Sequence, residues 1–189
     1  MEIKVELNEG YRKKIKEAML ATMGINKISD PEQLERRLSK PLTNKTFKSL
    51  LVGRHSPIKR GLIYIDALVP DRVMTHLTRH HETLHWVATS RPDISYHREV
   101  EDGMRFMSFQ MDFKRLIEVS QLRLCGKSWH ETTELFEMIR FEIYSLDKTL
   151  YSVLHPSCVW ANGKCPETGC CGYIGKPLCD VDIDSLWNK

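Results

Sequence analysis

The run Leu62-Ile63-Tyr64-Ile65-Asp66-Ala67-Leu68 is short, rich in β-branched and aromatic residues, and followed almost at once by Pro70-Asp71. It reads as a largely buried strand that feeds straight into a helix, the proline sitting where a first helical turn tolerates it. In that helix Val73, Met74, Leu77 and one of His80 and His81 share a face. The same order occurs at the start of the chain, where Ile3, Val5 and Leu7 alternate and Tyr11 to Met23 forms a helix closed by Gly24. The expectation is a single α/β (α+β) domain with a mixed or antiparallel sheet flanked by long helices. At 189 residues, 41% of them hydrophobic and 28% charged, the chain suffices to bury one sizeable core.

Further elements follow from caps and periodicity. Asp30-Pro31 starts a short helix, and Thr43 or Asn44 caps another that Gly53 ends. Arg91-Pro92 is a break, and His97 to Glu101 is polar. A long helix is predicted from about Met104 to Leu124, with Met107, Met111, Leu116 and Val119 or Leu122 inward. Ser128-Trp129-His130-Glu131 reads as a capping box. The helix it opens carries the stripe Leu135, Ile139, Ile143, Leu146 and Leu150, more than one small core needs, so self-association is predicted. From His155 onward the chain is irregular, which divides it into a domain over 1–154 and a cysteine-rich tail over 155–189 packed on it. There is no internal repeat and no low-complexity segment.

Five of the six cysteines, at 158, 165, 170, 171 and 179, fall in the last 32 residues, among glycines and prolines with little apolar material. Such a segment commonly needs a staple. Structural zinc bound by Cys158, Cys165, Cys179 and one of Cys170 and Cys171 is one reading, reduced free thiols the next, redox chemistry the last. Cys125, at a predicted helix end, reads as a small buried hydrophobe. A net charge of +3 is too small to argue for nucleic acid, and the basic residues from Arg36 to Arg60 are interleaved with aliphatics, as on solvated helix faces. There is no transmembrane run, and Met1 to Leu7 alternates charge with hydrophobe where a signal peptide would be apolar; a cytoplasmic protein is expected.

Thirteen residues, Arg79 to Arg91, concentrate chemistry: R-H-H-E-T-L-H-W-V-A-T-S-R. Two arginine forks, the rings of His80 and His81 and the Thr89 hydroxyl point to a phosphorylated ligand in a chain that has no phosphate-cradling glycine loop. The bland alternative is a solvated helix face.

The stretch resembles the R-H-R-x-x-S-x-N-E-x-S-x-R signature of flavin-dependent thymidylate synthases. Arg79, His80 and Arg91 match and Thr89 replaces serine, while His81, Leu84, Trp86 and Val87 depart from it. Upstream, His55-Ser56-Pro57 resembles the family's H-x-S/T-P turn. Downstream, Leu122-Arg123-Leu124-Cys125 with Glu131 resembles L-R-L-C-x-x-A-Q-W-E-I, and Pro156-Ser157-Cys158, Gly163-Lys164-Cys165-Pro166-Glu167 and Cys171-Gly172 resemble the tail of many bacterial members. The A-R-x-x-L-P stretch is missing; Arg98 and Arg105 are the cations at hand to replace it.

The resemblance implies transfer of a methylene from methylenetetrahydrofolate to dUMP, or one-carbon transfer to a related pyrimidine nucleotide, with FAD and with NADPH as reductant, in a homotetramer. It assigns Ser56, Arg79, His80, His81, Asp112 and Lys114 to FAD. His76, Arg79, Thr89, Arg91 and Arg123 fall to the nucleotide, with Arg123 also the catalytic group that stabilises the ionised pyrimidine. The alternative implication is a catalytically inactive flavin- and nucleotide-binding homologue with a regulatory or structural role.

Overall fold

The computed structural model describes residues 1–24, 31–78, 85–88 and 103–172. Strand β1 (Glu2–Leu7) is followed by helices α1 (Tyr11–Thr22), α2 (Pro31–Ser39) and α3 (Asn44–Val52) and a 3-10 turn over Ser56–Arg60. Then come β2 (Leu62–Pro70), α4 (Asp71–Thr78), β3 (His85–Ala88), β4 (Met104–Asp112), α5 (Phe113–Arg123), α6 (His130–Leu146) and the short helices α7 (Lys148–Tyr151) and α8 (Ser157–Trp160). The four strands form one sheet in the order β1-β2-β4-β3. Every pairing is antiparallel, so the sheet is antiparallel and not mixed.

Period-two alternation sets the two faces of the sheet. Ile63, Ile65, Ala67 and Val69 of β2 are buried, while Tyr64 and Asp66 face outward, where Ser108 Oγ donates to Asp66 Oδ1 at 2.6 Å. β2 pairs with β4 along its whole length, from Leu62 opposite Asp112 to Pro70 opposite Met104.

That pairing corrects the helix predicted over Met104 to Leu124. The first nine residues are strand β4, and only Phe113–Arg123 is helical. Met107 and Met111, four apart, satisfy a helical stripe and a strand face equally well. Phe109, buried between them, and Phe106, exposed, fit only the strand. Asp112 makes the switch: its carboxylate accepts from the Arg115 amide at 2.8 Å and caps α5. Val119, not Leu122, is the inward residue.

The core lies between the sheet and α1, α3, α5 and α6. Phe47 and Phe113 are fully buried, and Tyr11 packs edge-on against Phe113 at 5.3 Å. Each such side chain stabilises the fold by roughly 1.5–3 kcal/mol through area removed from water. Leu135, Ile139, Ile143 and Leu150 are buried in this same core. The stripe therefore does not by itself require a second chain: α6 stops at Leu146, which is exposed, and Asp147 restarts the backbone as α7.

The predicted capping box is also corrected. Trp129 occupies the cap position of α6 without a side-chain cap bond, and Ser128 belongs to the preceding turn, its amide donating to the Cys125 carbonyl at 2.8 Å. Glu131 instead pairs with Arg72 of α4. The tail, expected to be irregular, contains α8.

Candidate functional site

Helix α5 has two ends with different chemistry. Its first turn abuts the 3-10 turn that begins at Ser56. The Phe113 amide donates to the Gly61 carbonyl at 3.0 Å, and Gly61 lies so near the Phe113 ring that a Cβ there would be 2.4 Å from it. The exposed Ser56 hydroxyl and the partly exposed Asp112 and Lys114 are thus held on neighbouring elements. Asp112 already serves as a helix cap.

At the other end Arg123 closes the helix and lines a pocket of about 230 Å³. Gln121, Lys127 and Ser128 contribute to it from the end of α5 and the following turn, Ser157 and Cys158 from α8, and Cys165 and Glu167 from the tail. Ser157 Oγ donates to the Gln121 carbonyl at 3.1 Å, and the Lys127 ammonium donates to the Thr168 carbonyl, so the tail is fastened over the helix end. Two buried polar atoms of pocket residues, Gln121 Nε2 and Ser128 Oγ, have no hydrogen-bond partner among the described residues. An unsatisfied buried donor of this kind costs about 1–3 kcal/mol, which a polar ligand can offset.

At a rise of 1.5 Å per residue, Asp112 and Arg123 are roughly 16 Å apart along the helix. Asp112 and Lys114 therefore sit at one end of α5 and Arg123 at the other, while Ser56 begins the 3-10 turn whose far end, at Gly61, meets Phe113. His76 sits on α4, where the Thr132 hydroxyl and its Nδ1 are 3.4 Å apart and the Trp129 ring meets it edge-on at 5.8 Å. Since Ser128 lines the Arg123 pocket and Trp129 touches His76, one turn adjoins both. Arg105, a candidate phosphate cation, pairs with Asp71 at 2.6 Å. Arg79, His80, His81, Thr89, Arg91 and Arg98 lie outside the described residues; α4 ends at Thr78, immediately before Arg79. Trp86 and Val87 fall on β3, opposite Phe109 and Ser108 in register.

Sequence reasoning missed Gln121 and Lys127 as pocket residues, since neither belongs to a spacing that carries chemistry, and it gave Ser157 only as part of the tail resemblance. Cys125, expected as a small buried hydrophobe at a helix end, follows the end of α5. That thiol is half-buried, with its Sγ 3.9 Å from Cys171 Sγ. Burial pushes the Cys158 thiol up to about 11, aided by neighbouring thiols, and burial also raises Cys125. Among the described residues, no three histidine, cysteine or carboxylate side chains are set around a common point as a metal would require. Among the same residues, no helix is long and apolar enough to cross a membrane.

No protein-family model and no curated protein matches the sequence. Solved structures do match the fold. The UMP/dUMP methylase PolB from Streptomyces cacaoi, solved with 5-Br dUMP, is similar over 80% of this chain and 94% of its own, with a TM-score of 0.54 and 14% identity. The flavin-dependent thymidylate synthase ThyX from Helicobacter pylori, solved with FAD and dUMP, is similar over 82% of this chain and 100% of its own, with a TM-score of 0.58 and 11% identity. The antiparallel sheet with its surrounding helices, together with these matches over most of the chain, gives this chain the fold of the flavin-dependent thymidylate synthases.

Proposed function

We propose that the chain is a flavin-dependent methyltransferase acting on the uracil ring of a nucleotide, dUMP or a close relative. The observation that carries this is Arg123, placed at the end of α5 in a pocket whose neighbouring Gln121 and Ser128 have buried polar atoms without partners among the described residues. The two solved structures of this fold that hold uracil nucleotides support it. A guanidinium stays cationic at any working pH and presents a planar fork, which suits polarising an imide where negative charge develops. Gln121 and Ser128 would complete the edge of hydrogen bonds that orients the ring.

The exposed Ser56 hydroxyl, on the 3-10 turn that meets α5 at Gly61, and the Lys114 ammonium in the first turn of α5 suit the anionic pyrophosphate of FAD. Arg79, His80 and His81 would join them. Bound FAD would supply the hydride chemistry, with methylenetetrahydrofolate as one-carbon donor and NADPH as reductant. His76, Thr89 and Arg91 would hold the nucleotide. A homotetramer that shares its sites between subunits is part of this proposal, in keeping with Lys114 and Arg123 standing near opposite ends of α5.

A second reading, a flavin- and nucleotide-binding protein without turnover, draws on Trp86 and Val87, which stand in a hydrogen-bonded strand at positions where the synthase signature has an amide and a carboxylate. An absorption spectrum of the purified chain, then titration with dUMP and an assay of dUMP-dependent NADPH oxidation, tests both. Bound flavin with nucleotide-dependent oxidation is expected. Flavin and nucleotide binding without oxidation would favour the second reading, and absence of both ligands would overturn the two together.

A further inference from the structure

We propose that Cys125 and Cys171 are a redox-active pair, a site of reversible disulfide formation that takes a low-molecular-weight disulfide as its oxidant and clasps the tail to the end of α5. Both are free thiols, and the Cys125 thiol is hydrogen-bonded to Cys171 Sγ at 3.9 Å. A disulfide bond is about 2.0 Å long, so closure moves the sulfurs together by roughly 2 Å, within reach of rotation about the Cα–Cβ bonds. Packing of the tail brings the pair together. Gly126 has no side chain, and a Cβ there would lie 3.2 Å from Cys171 Cβ and 3.3 Å from its Sγ. The tail thus rests on the backbone that carries Cys125, fastened nearby by the Lys127 ammonium on the Thr168 carbonyl and by the Ser157 hydroxyl on the Gln121 carbonyl. The other cysteines are differently placed. Cys170 is exposed, and its Sγ accepts from the Gly172 amide at 3.4 Å within its own turn. Cys158 is buried, and that burial pushes its thiol up to about 11, which leaves little thiolate for exchange.

Burial raises the Cys125 thiol and keeps it protonated at rest. A disulfide carries no charge, so surroundings that disfavour thiolates still accommodate the bridged form. The partly exposed Cys171 reacts first. Its thiolate attacks one sulfur of the small disulfide, whose S–S bond breaks and whose other half leaves as a thiolate. Cys125 then gives up its proton and attacks Cys171 Sγ, expelling the second half. Two thiols of the chain become one disulfide, two electrons pass to the small disulfide, and the two protons end on the two small thiols released. The Lys127 amide, which donates to Cys125 Sγ, eases the loss of that proton. The new bond joins residues 46 apart in the chain and ties the wall of the Arg123 pocket formed by Cys165 and Glu167 to the helix end. This inference uses no part of the nucleotide reading, since the bond is measured without flavin or nucleotide.

The test is treatment of the purified full chain with oxidised glutathione, alkylation of the remaining thiols, and peptide mapping by mass spectrometry without reduction. A Cys125 peptide joined to the peptide that carries Cys171 is expected, with the loss of two reactive thiols per chain and their return on adding dithiothreitol. Cys170→Ser should keep the link and Cys171→Ser should lose it, which separates the adjacent pair. Gly126→Ala, which presses on Cys171, should slow formation of the bond. Because the bond restricts the unfolded chain, the melting temperature should rise on oxidation and fall back on reduction. If a variant fails to fold, fragmentation of the linked wild-type peptides still assigns the bond. Cys125 left open to alkylation after oxidation would overturn the proposal, as would Cys125 joined to Cys165, or a link that survives in Cys171→Ser.

Discussion

Gly61 and Phe113 are in contact so close that no side chain fits between them: a Cβ on residue 61 would lie 2.4 Å from the phenyl ring. The same two residues share a hydrogen bond from the Phe113 amide to the Gly61 carbonyl at 3.0 Å. This contact ties the Ser56 turn to the first turn of α5. Gly61→Ala is expected to destabilise the protein by roughly 1–3 kcal/mol, the range for overpacking a rigid core. Flavin retention should fall with it, since Ser56 and Lys114 would shift relative to each other. Melting temperature and bound flavin on one preparation check this, and an unchanged melting temperature would show that the ring moves aside.

Arg123→Ala is expected to leave flavin bound and to lower dUMP-dependent turnover by roughly a hundredfold or more, the effect of removing one donor that stabilises developing charge. Arg123→Lys should recover little, because an ammonium lacks the planar fork. A loss of melting temperature without a selective kinetic defect would make Arg123 a structural residue.

Asp147 is buried and serves several partners at once. Its carboxylate accepts from Arg12 Nη2 at 2.6 Å and Nε at 3.1 Å, from the Tyr11 hydroxyl, and from the Thr149 and Leu150 amides at 2.8 and 2.9 Å, which cap α7. Burial, reinforced by the hydrogen bond to Asp147, pushes the Tyr11 hydroxyl up to about 12. Asp147→Ala leaves a part-buried guanidinium without its carboxylate and should cost about 3–5 kcal/mol. Asp147→Asn keeps an acceptor for the cap and should cost less. Chemical denaturation of both variants measures the difference.

His155 gives the fold a pH dependence with a definite sign. Burial, and then the Arg140 guanidinium nearby, lower its pKa from 6.5 to about 4. Between these values the unfolded chain binds a proton that the folded chain does not, so stability is fully present above pH 6.5 and is lost as pH falls toward 4. The loss is at most roughly 3–4 kcal/mol, because each pH interval of one between the two values is worth about 1.4 kcal/mol. His155→Gln should flatten the stability profile across this window; an unaltered slope would place the dependence on another group.

Most of the fold could be read from periodicity, because β1, β2, α1 and α3 each follow a single pattern with an unambiguous end. β4 could not. Met107 and Met111 satisfy two periods at once, and only the burial of Phe109 against the exposure of Phe106 separates them. The stripe on α6 is a related case: spacing shows which residues share a face but not what covers it, and here Leu135, Ile139, Ile143 and Leu150 are buried in the core of the chain itself. For the site, resemblance led to Arg123, which the structure then set in a pocket. The thiol cluster had no signature in spacing, because Cys125 is far along the chain from its companions and meets Cys171 only through the packing of the tail on α5. The expected roles of Arg79, His80, His81, Thr89 and Arg91 fall outside the described residues.

Strand β4 passes into helix α5 without an intervening loop, Asp112 ending one element and capping the other. One residue inserted in β4 would reverse the inward and outward faces of everything between it and the cap. One inserted in α5 would swing Arg123 by about 100° around the helix axis. Natural variants of this protein should therefore differ by substitution between Met104 and Arg123 and keep that segment at constant length, so an alignment gap there would mark a chain that has given up this placement of the arginine.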